Sequence, residues 1–157
     1  MRILFLLTLI FFSCTSTHKD TAIGLEKIRL TDLSGKTIDY TQYKDKVVLI
    51  NFWATWCRPC VQEMPTLAAV QDKFKAEPVE FLFASNEALE QITGFKLKKS
   101  FDFNYVQVSN LEEQNIQALP TTFIFNKNGE LKFSETGYRD WASDESIQIL
   151  SDIINQP

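Results

Sequence analysis

Asn51-Phe-Trp-Ala-Thr-Trp-Cys-Arg-Pro-Cys60 joins the end of an unbroken apolar run to the start of a helix. Val47 to Trp53 (VVLINFW) is β-branched, aromatic and continuous, the pattern of a strand buried on both faces. Beyond the cysteines, Val61, Met64, Leu67, Ala68, Val70 and Phe74 recur at helical spacing. Cys57 and Cys60 therefore fall on the first turn of a helix that leaves a buried strand. Unsatisfied N–H groups and the positive dipole end stabilise a thiolate there, and a thiolate is the attacking species in disulfide exchange. Cys60, one turn on, is placed to resolve a mixed disulfide. Pro59 fits the first turn at little cost, because its missing N–H would be unpaired there. Two blander readings compete. A metal half-site needs two more ligands, and the chain has only one other cysteine, Cys14, and one histidine, His18. A structural disulfide would close too small a loop to constrain the unfolded chain much.

Working outward, Pro65 predicts a kink in the helix. Leu25 to Leu30 alternates and is expected to be a strand that pairs across the turn Asp32–Lys36 in an N-terminal hairpin. Val79 to Ala84 (VEFLFA) is a second buried strand, Asn86 to Lys99 a helix, Tyr105 to Val108 a strand, and Leu111 to Ala118 one or two helical turns. Thr121 to Phe125 and Leu131 to Glu135 flank Asn128-Gly129, a strong hairpin signal. Ser143 to Asn155 carries Ile147, Leu150, Ile153 and Ile154 on one face of a terminal helix. The order predicts an α/β domain: a central mixed sheet with helices on both faces and an antiparallel edge. Phe101, Phe103 and Tyr105 are expected in the core, and Lys96, Lys98 and Lys99 on a solvated helix face.

Composition fits one packed domain: 157 residues, 45% apolar and 23% charged. A net charge of −4 gives no global basic field for nucleic acid. The five glycines are isolated, so no Gly-rich phosphate loop exists. Met1 and Arg2 precede a ten-residue apolar run, Ile3 to Phe12, too short to span a membrane and suited to a signal peptide. Residues 1–13 are read as that signal. Ser13-Cys14 resembles the lipobox of bacterial lipoproteins, although Phe11 stands where that pattern has an aliphatic residue. Cys14 would then be lipidated and residues 14–24 would tether residues 25–157 to a membrane. The alternative is a plain secretory signal with an incidental cysteine.

Trp56-Cys57-Arg58-Pro59-Cys60, followed by Glu63 and Pro65, resembles the exported thiol–disulfide oxidoreductases of the TlpA/ResA type, with signature W-C-x-P-C-x-x-E-x-P. Leu119-Pro120-Thr121-Thr122-Phe123 matches the segment of the thioredoxin fold whose proline follows a cis bond. The resemblance implies Cys57 as the exposed nucleophile and Cys60 as the buried resolving thiol. Pro120 would be the cis proline, and Trp56, Arg58, Pro59, Leu119 and Pro120 would line a substrate groove. Trp53 is as consistent with core as with site. Cytosolic thioredoxins carry a buried Asp where this chain has Asn51, which cannot titrate. TlpA/ResA-type proteins have an acid after the next strand, so Glu87 is the candidate base for the Cys60 proton, its alternative being an N-terminal helix residue. Glu63 is read as a surface or docking residue in preference to a catalytic one. Arg58 is expected to lower the Cys57 pKa, or else to point idly into solvent.

The expected function is a periplasmic, membrane-anchored protein-disulfide reductase of the bacterial cell envelope. Its redox couple is the dithiol itself, with no organic cofactor and no metal. Its expected partners are a disulfide-containing protein and an upstream thiol electron donor such as a membrane reductase, and it is expected to be monomeric. Cytochrome c maturation is one client process the resemblance implies. The alternatives are a non-catalytic binding or chaperone-like module, and a dithiol oxidase; nothing resembles a peroxidatic cysteine motif.

Overall fold

The structure is a computed structural model that describes residues 23–156. The expected signal peptide and Cys14 lie outside the described residues. Six strands form one mixed sheet in the order β1-β4-β3-β2-β5-β6. They are β1 (Leu30–Asp32), β2 (Val47–Phe52), β3 (Val79–Ser85), β4 (Asn104–Val108), β5 (Thr121–Phe125) and β6 (Leu131–Thr136). The helices are α1 (Arg58–Lys73), α2 (Leu89–Lys98) and α3 (Asp144–Ile154). Strands β2, β3 and β4 run parallel, whereas β1, β5 and β6 pair antiparallel to their neighbours. This is the mixed α/β sheet that the alternation of strands and helices predicts, in the thioredoxin fold that the resemblance implies.

Strand β2 sits near the middle of the sheet, and all six of its residues are buried. Its alternate side chains reach opposite faces. Val47, Leu49 and Trp53 join one buried cluster, and Val48, Ile50 and Phe52 the other. The first cluster receives the buried faces of α1, α2 and α3. The second is closed by the N-terminal segment, through Leu25, Ile28, Leu30 and Tyr43. The two covered faces are therefore met by α-helices on one side and largely by short 3-10 turns and loops on the other. Phe103 and Tyr105 take their place in the core, where Phe103 stacks on Phe83 at 3.6 Å between ring centroids, whereas Phe101 is only partly buried and packs against it.

Several boundaries differ from the sequence reading. Leu25–Lys27 is a 3-10 turn, not strand. The N-terminal hairpin shrinks to one bridge, Thr31↔Thr37, because Asp32 folds back to accept N–H groups from Ser34 and Lys36. Helix α2 begins at Leu89, since Glu87 is drawn toward Thr55 and Ser85 instead of opening the helix. The helical turns expected over Leu111–Ala118 are a single 3-10 turn, Glu112–Gln114, ended by Asn115 at φ 56°. Gly129, at φ 75°, supplies the left-handed residue that the β5–β6 turn requires.

Phe83→Ala tests the aromatic stack. Phe83 is fully buried, so its removal should cost about 3–5 kcal/mol in urea unfolding. A loss below about 1 kcal/mol would show that this stack does not carry the first cluster.

Candidate active site

Strand β2 delivers Trp53, Ala54, Thr55 and Trp56 to the head of α1. Cys57 is the N-cap of that helix, and its Sγ accepts the Cys60 N–H at 3.3 Å. Pro59 stands in the first turn, as its missing N–H allows. Cys57 and Cys60 form a disulfide. Cys60 is fully buried, and Cys57 is nearly so at 4% exposure. The expected exposed nucleophile is thus largely covered while it is tied to Cys60 and the helix N-terminus. Trp56 is 73% exposed, and Arg58 and Pro59 are exposed beside it. Arg58 makes no ion pair among the described residues. Trp53 belongs to the core, packed on Phe95 and Tyr105.

The antiparallel register Phe52↔Thr121 places the start of β5 at the end of β2 from which the cysteine segment leaves. The Leu119–Pro120 bond there is cis, as the resemblance implied. Leu119 is half-buried against both clusters, and Pro120 is buried. Pro120 keeps its carbonyl in use by accepting the Gly137 N–H at 2.8 Å. Gly137, at φ 105°, turns the chain from β6 into a loop over the head of α1.

Two carboxylates flank the site. Glu87 is half-buried, and both its oxygens are bound to Thr55: the Thr55 N–H at 2.7 Å and its hydroxyl at 2.6 Å. The Ser85 hydroxyl donates a third bond at 3.1 Å. Glu87 thereby pins the segment two residues before Cys57, and no hydrogen bond joins it to Cys60. Glu63 is different. The expectation of a surface residue is overturned, because it is 1% exposed. Its position one helical turn after Cys60, beside the buried Met64 and Leu67, turns it inward. Oε1 accepts from Asn51 Nδ2 at 2.7 Å, and Oε2 from the Arg139 N–H at 3.1 Å. Burial pushes the carboxyl up to about 7, against the pull of these donors.

Sequence reasoning passed over this arrangement. The signal was available in the spacing Cys60, Glu63, Met64, Leu67, which is one buried face at i, i+3, i+4 and i+7. Arg139 carried no signal, since it acts through its backbone. Its side chain, only 13% exposed, holds the loop in place through Glu135, Glu145 and the Ser146 hydroxyl. Trp141 N–H adds a bond to Thr66 Oγ1 of α1 at 3.1 Å.

A buried cysteine pair at a helix N-terminus, joined as a disulfide beside a cis-proline strand, is the arrangement of a thioredoxin-fold protein and can support thiol–disulfide exchange. The AhpC/TSA family model matches residues 24–134, and the chain belongs to that family. It is 37% identical over 113 residues to the thiol-disulfide oxidoreductase ResA of Geobacillus kaustophilus, an alignment covering 69% of this chain and 64% of the relative. Against ResA of Bacillus subtilis the identity is 36%, over 69% of this chain and 63% of the relative. The chain thus spans slightly less than two thirds of the length of these relatives. The crystal structure of a thiol-disulfide isomerase from Corynebacterium glutamicum shares the fold, with a TM-score of 0.74, 13% identity, and coverage of 88% of this chain and 99% of that one.

The Glu63 proton links stability to pH. Between about pH 4.5 and 7 the folded chain keeps this proton and the unfolded chain loses it. Stability from this group is therefore full below pH 4.5 and falls as pH rises through 7. Glu63→Gln should remove that slope, which is on the order of 3 kcal/mol between pH 4 and 8. Urea midpoints read at several pH values check it; parallel profiles for wild type and variant would contradict the assignment.

Proposed function

We propose that the chain is an exported protein-disulfide reductase that works through the Cys57–Cys60 couple. The observation that carries this reading is the disulfide itself, set at the N-terminus of α1 with a buried, proton-holding carboxylate one turn behind it. In the dithiol form, Cys57 gains from the Cys60 N–H and the helix dipole, both of which favour its thiolate. The Cys57 thiolate attacks one sulfur of a client disulfide. A mixed disulfide forms and the other client sulfur leaves as a thiolate, which takes up a proton. Cys60 then gives its proton to a base and attacks Cys57 Sγ. The Cys57–Cys60 bond closes, the client's second sulfur leaves, and two electrons have passed to the client. A thiol electron donor returns the pair to the dithiol.

Glu63 suits the base role better than Glu87. It shares a buried helix face with Cys60, and its carboxyl near 7 can both take and release a proton at neutral pH. Glu87 lies outside α1, shares no buried helix face with Cys60, and acts as an anchor for the segment that carries Trp56 and Cys57 through its bonds to Thr55. Trp56, Arg58, Pro59 and Leu119 offer the client a partly apolar rim beside the cis proline. Export and anchoring rest on the apolar run Ile3 to Phe12 and on Cys14. Among the described residues no helix is long and apolar enough to cross a membrane.

Insulin-disulfide reduction driven by dithiothreitol tests the reading. Cys57→Ser should reduce the rate to the uncatalysed level. Cys60→Ser should accumulate a mixed disulfide at Cys57, visible by mass spectrometry. Catalysis that survives Cys57→Ser would refute the proposal. In the same assay Glu63→Gln should slow resolution at least about tenfold and flatten its pH profile near neutrality, whereas Glu87→Gln should leave the profile's position unchanged. The reverse pattern would reassign the base to Glu87.

A further inference from the structure

Asn51 holds an unmet acceptor at the centre of the site. It is fully buried in β2, flanked by Leu49 and Trp53, and those two side chains lie in the same cluster as Cys60 and Met64. Strand alternation puts Asn51 on that face too, opposite the inward side of α1. Its Nδ2 is fully used, donating to Glu63 Oε1 at 2.7 Å and to Thr122 Oγ1 at 3.0 Å. Its Oδ1 is buried with no hydrogen-bond partner among the described residues. A buried carbonyl oxygen left unpaired costs roughly 1–3 kcal/mol, so such groups call for an explanation.

The disulfide form supplies none, because Cys60 Sγ has no hydrogen while it is bonded to Cys57. Reduction changes that. Two electrons from a donor dithiol break the Sγ–Sγ bond, each sulfur takes up an electron pair, and Cys60 gains a proton. A fully buried S–H donor then appears on the helix face that packs against β2. Glu63 Oε1 and Oε2 each already accept an N–H. Asn51 Oδ1 accepts none, so it can hold the thiol hydrogen in the resting dithiol until a Glu63 oxygen, through its second lone pair, takes it as a proton during resolution. We infer that Asn51 is a positioning residue of the redox site: its amide nitrogen orients Glu63, and its free oxygen receives the Cys60 thiol hydrogen in the dithiol form. The inference rests on the redox reading of Cys57 and Cys60. It gives the amide a role that a carboxylate at the same position could not combine, since a carboxylate has no N–H for Glu63 and would repel it.

A bond that exists only in the dithiol form favours that form. Removing the acceptor should therefore shift the thiol–disulfide equilibrium of the Cys57–Cys60 pair toward the disulfide by about tenfold, which is about 30 mV for a two-electron couple. The measurement is equilibration of the full chain, carrying Cys14→Ser, against dithiothreitol redox buffers, for wild type, Asn51→Leu and the smaller Asn51→Ser. A second readout follows the bond itself. In a Cys14→Ser, Cys57→Ser background Cys60 is the sole thiol of the chain. Its S–H infrared band should lie at the hydrogen-bonded position with Asn51 present and move to the free-thiol position in either Asn51 variant. A tenfold shift together with the band movement supports the inference. A reversible couple whose equilibrium changes less than twofold, or whose S–H band stays fixed, overturns it and leaves the redox reading intact. A wild-type pair that does not cycle reversibly overturns the redox reading and this inference with it. If neither Asn51 variant folds, the band in the Cys57→Ser background decides alone, and a free-thiol position there overturns the inference.

Discussion

A carboxylate removed from water needs donors, and Glu63 draws them from two other parts of the chain. One comes from Asn51 in the central strand, the other from the backbone of Arg139 in the loop after β6. Buried polar groups left without partners cost roughly 1–3 kcal/mol each, so these contacts hold sheet, helix and loop together. The same loop reaches Pro120 through Gly137 and α1 through Trp141. The head of α1, the cis-proline segment and the middle of the sheet are thereby tied into one hydrogen-bonded frame. The Arg139 side chain, over the rings of Phe133 and Trp141, holds the frame from outside.

The proposed thiol–disulfide exchange needs two sulfurs with different tasks, and this frame gives them different surroundings. Cys57 caps the helix and meets a backbone N–H, which favours negative charge on its sulfur. Cys60 lies one turn deeper, without exposure, on the face that carries the acid. Glu87 performs a parallel service on the approach to Cys57. It converts the short loop after β2 into a fixed support by binding both polar groups of Thr55. The exposed Trp56 is then presented from a rigid base.

Much of this was legible in the sequence, because the strongest signals were local. The run from Val47 to Trp53, the Cys57–Cys60 spacing, the Asn-Gly turn and the amphipathic C-terminal helix each depend on residues close in the chain. Pro120 was legible only through a resemblance, since nothing in the residues before it dictates a cis bond. The errors came where a side chain's partner lay far away in sequence. Leu25–Lys27 alternates like a strand, yet its pairing stops at the Gly24–Glu130 bridge and the Leu25 N–H bond to Gly129, after which the chain turns. Glu63, expected at the surface, is buried, and Glu87, expected to open a helix or serve as a base, is bound to Thr55. A glutamate opening a helix and a glutamate inside one look alike until the partners Arg139, 76 residues on, and Thr55, 32 residues back, are known.

The direction of electron flow is the property on which the account most depends, and the reduction potential of the Cys57–Cys60 couple measures it. Thioredoxin lies near about −270 mV and the oxidant DsbA near about −120 mV. A reductase with its resolving thiol beside a proton acceptor should fall toward the first value. A potential near the second would make the protein an oxidant of dithiols and contradict the assignment of a protein-disulfide reductase.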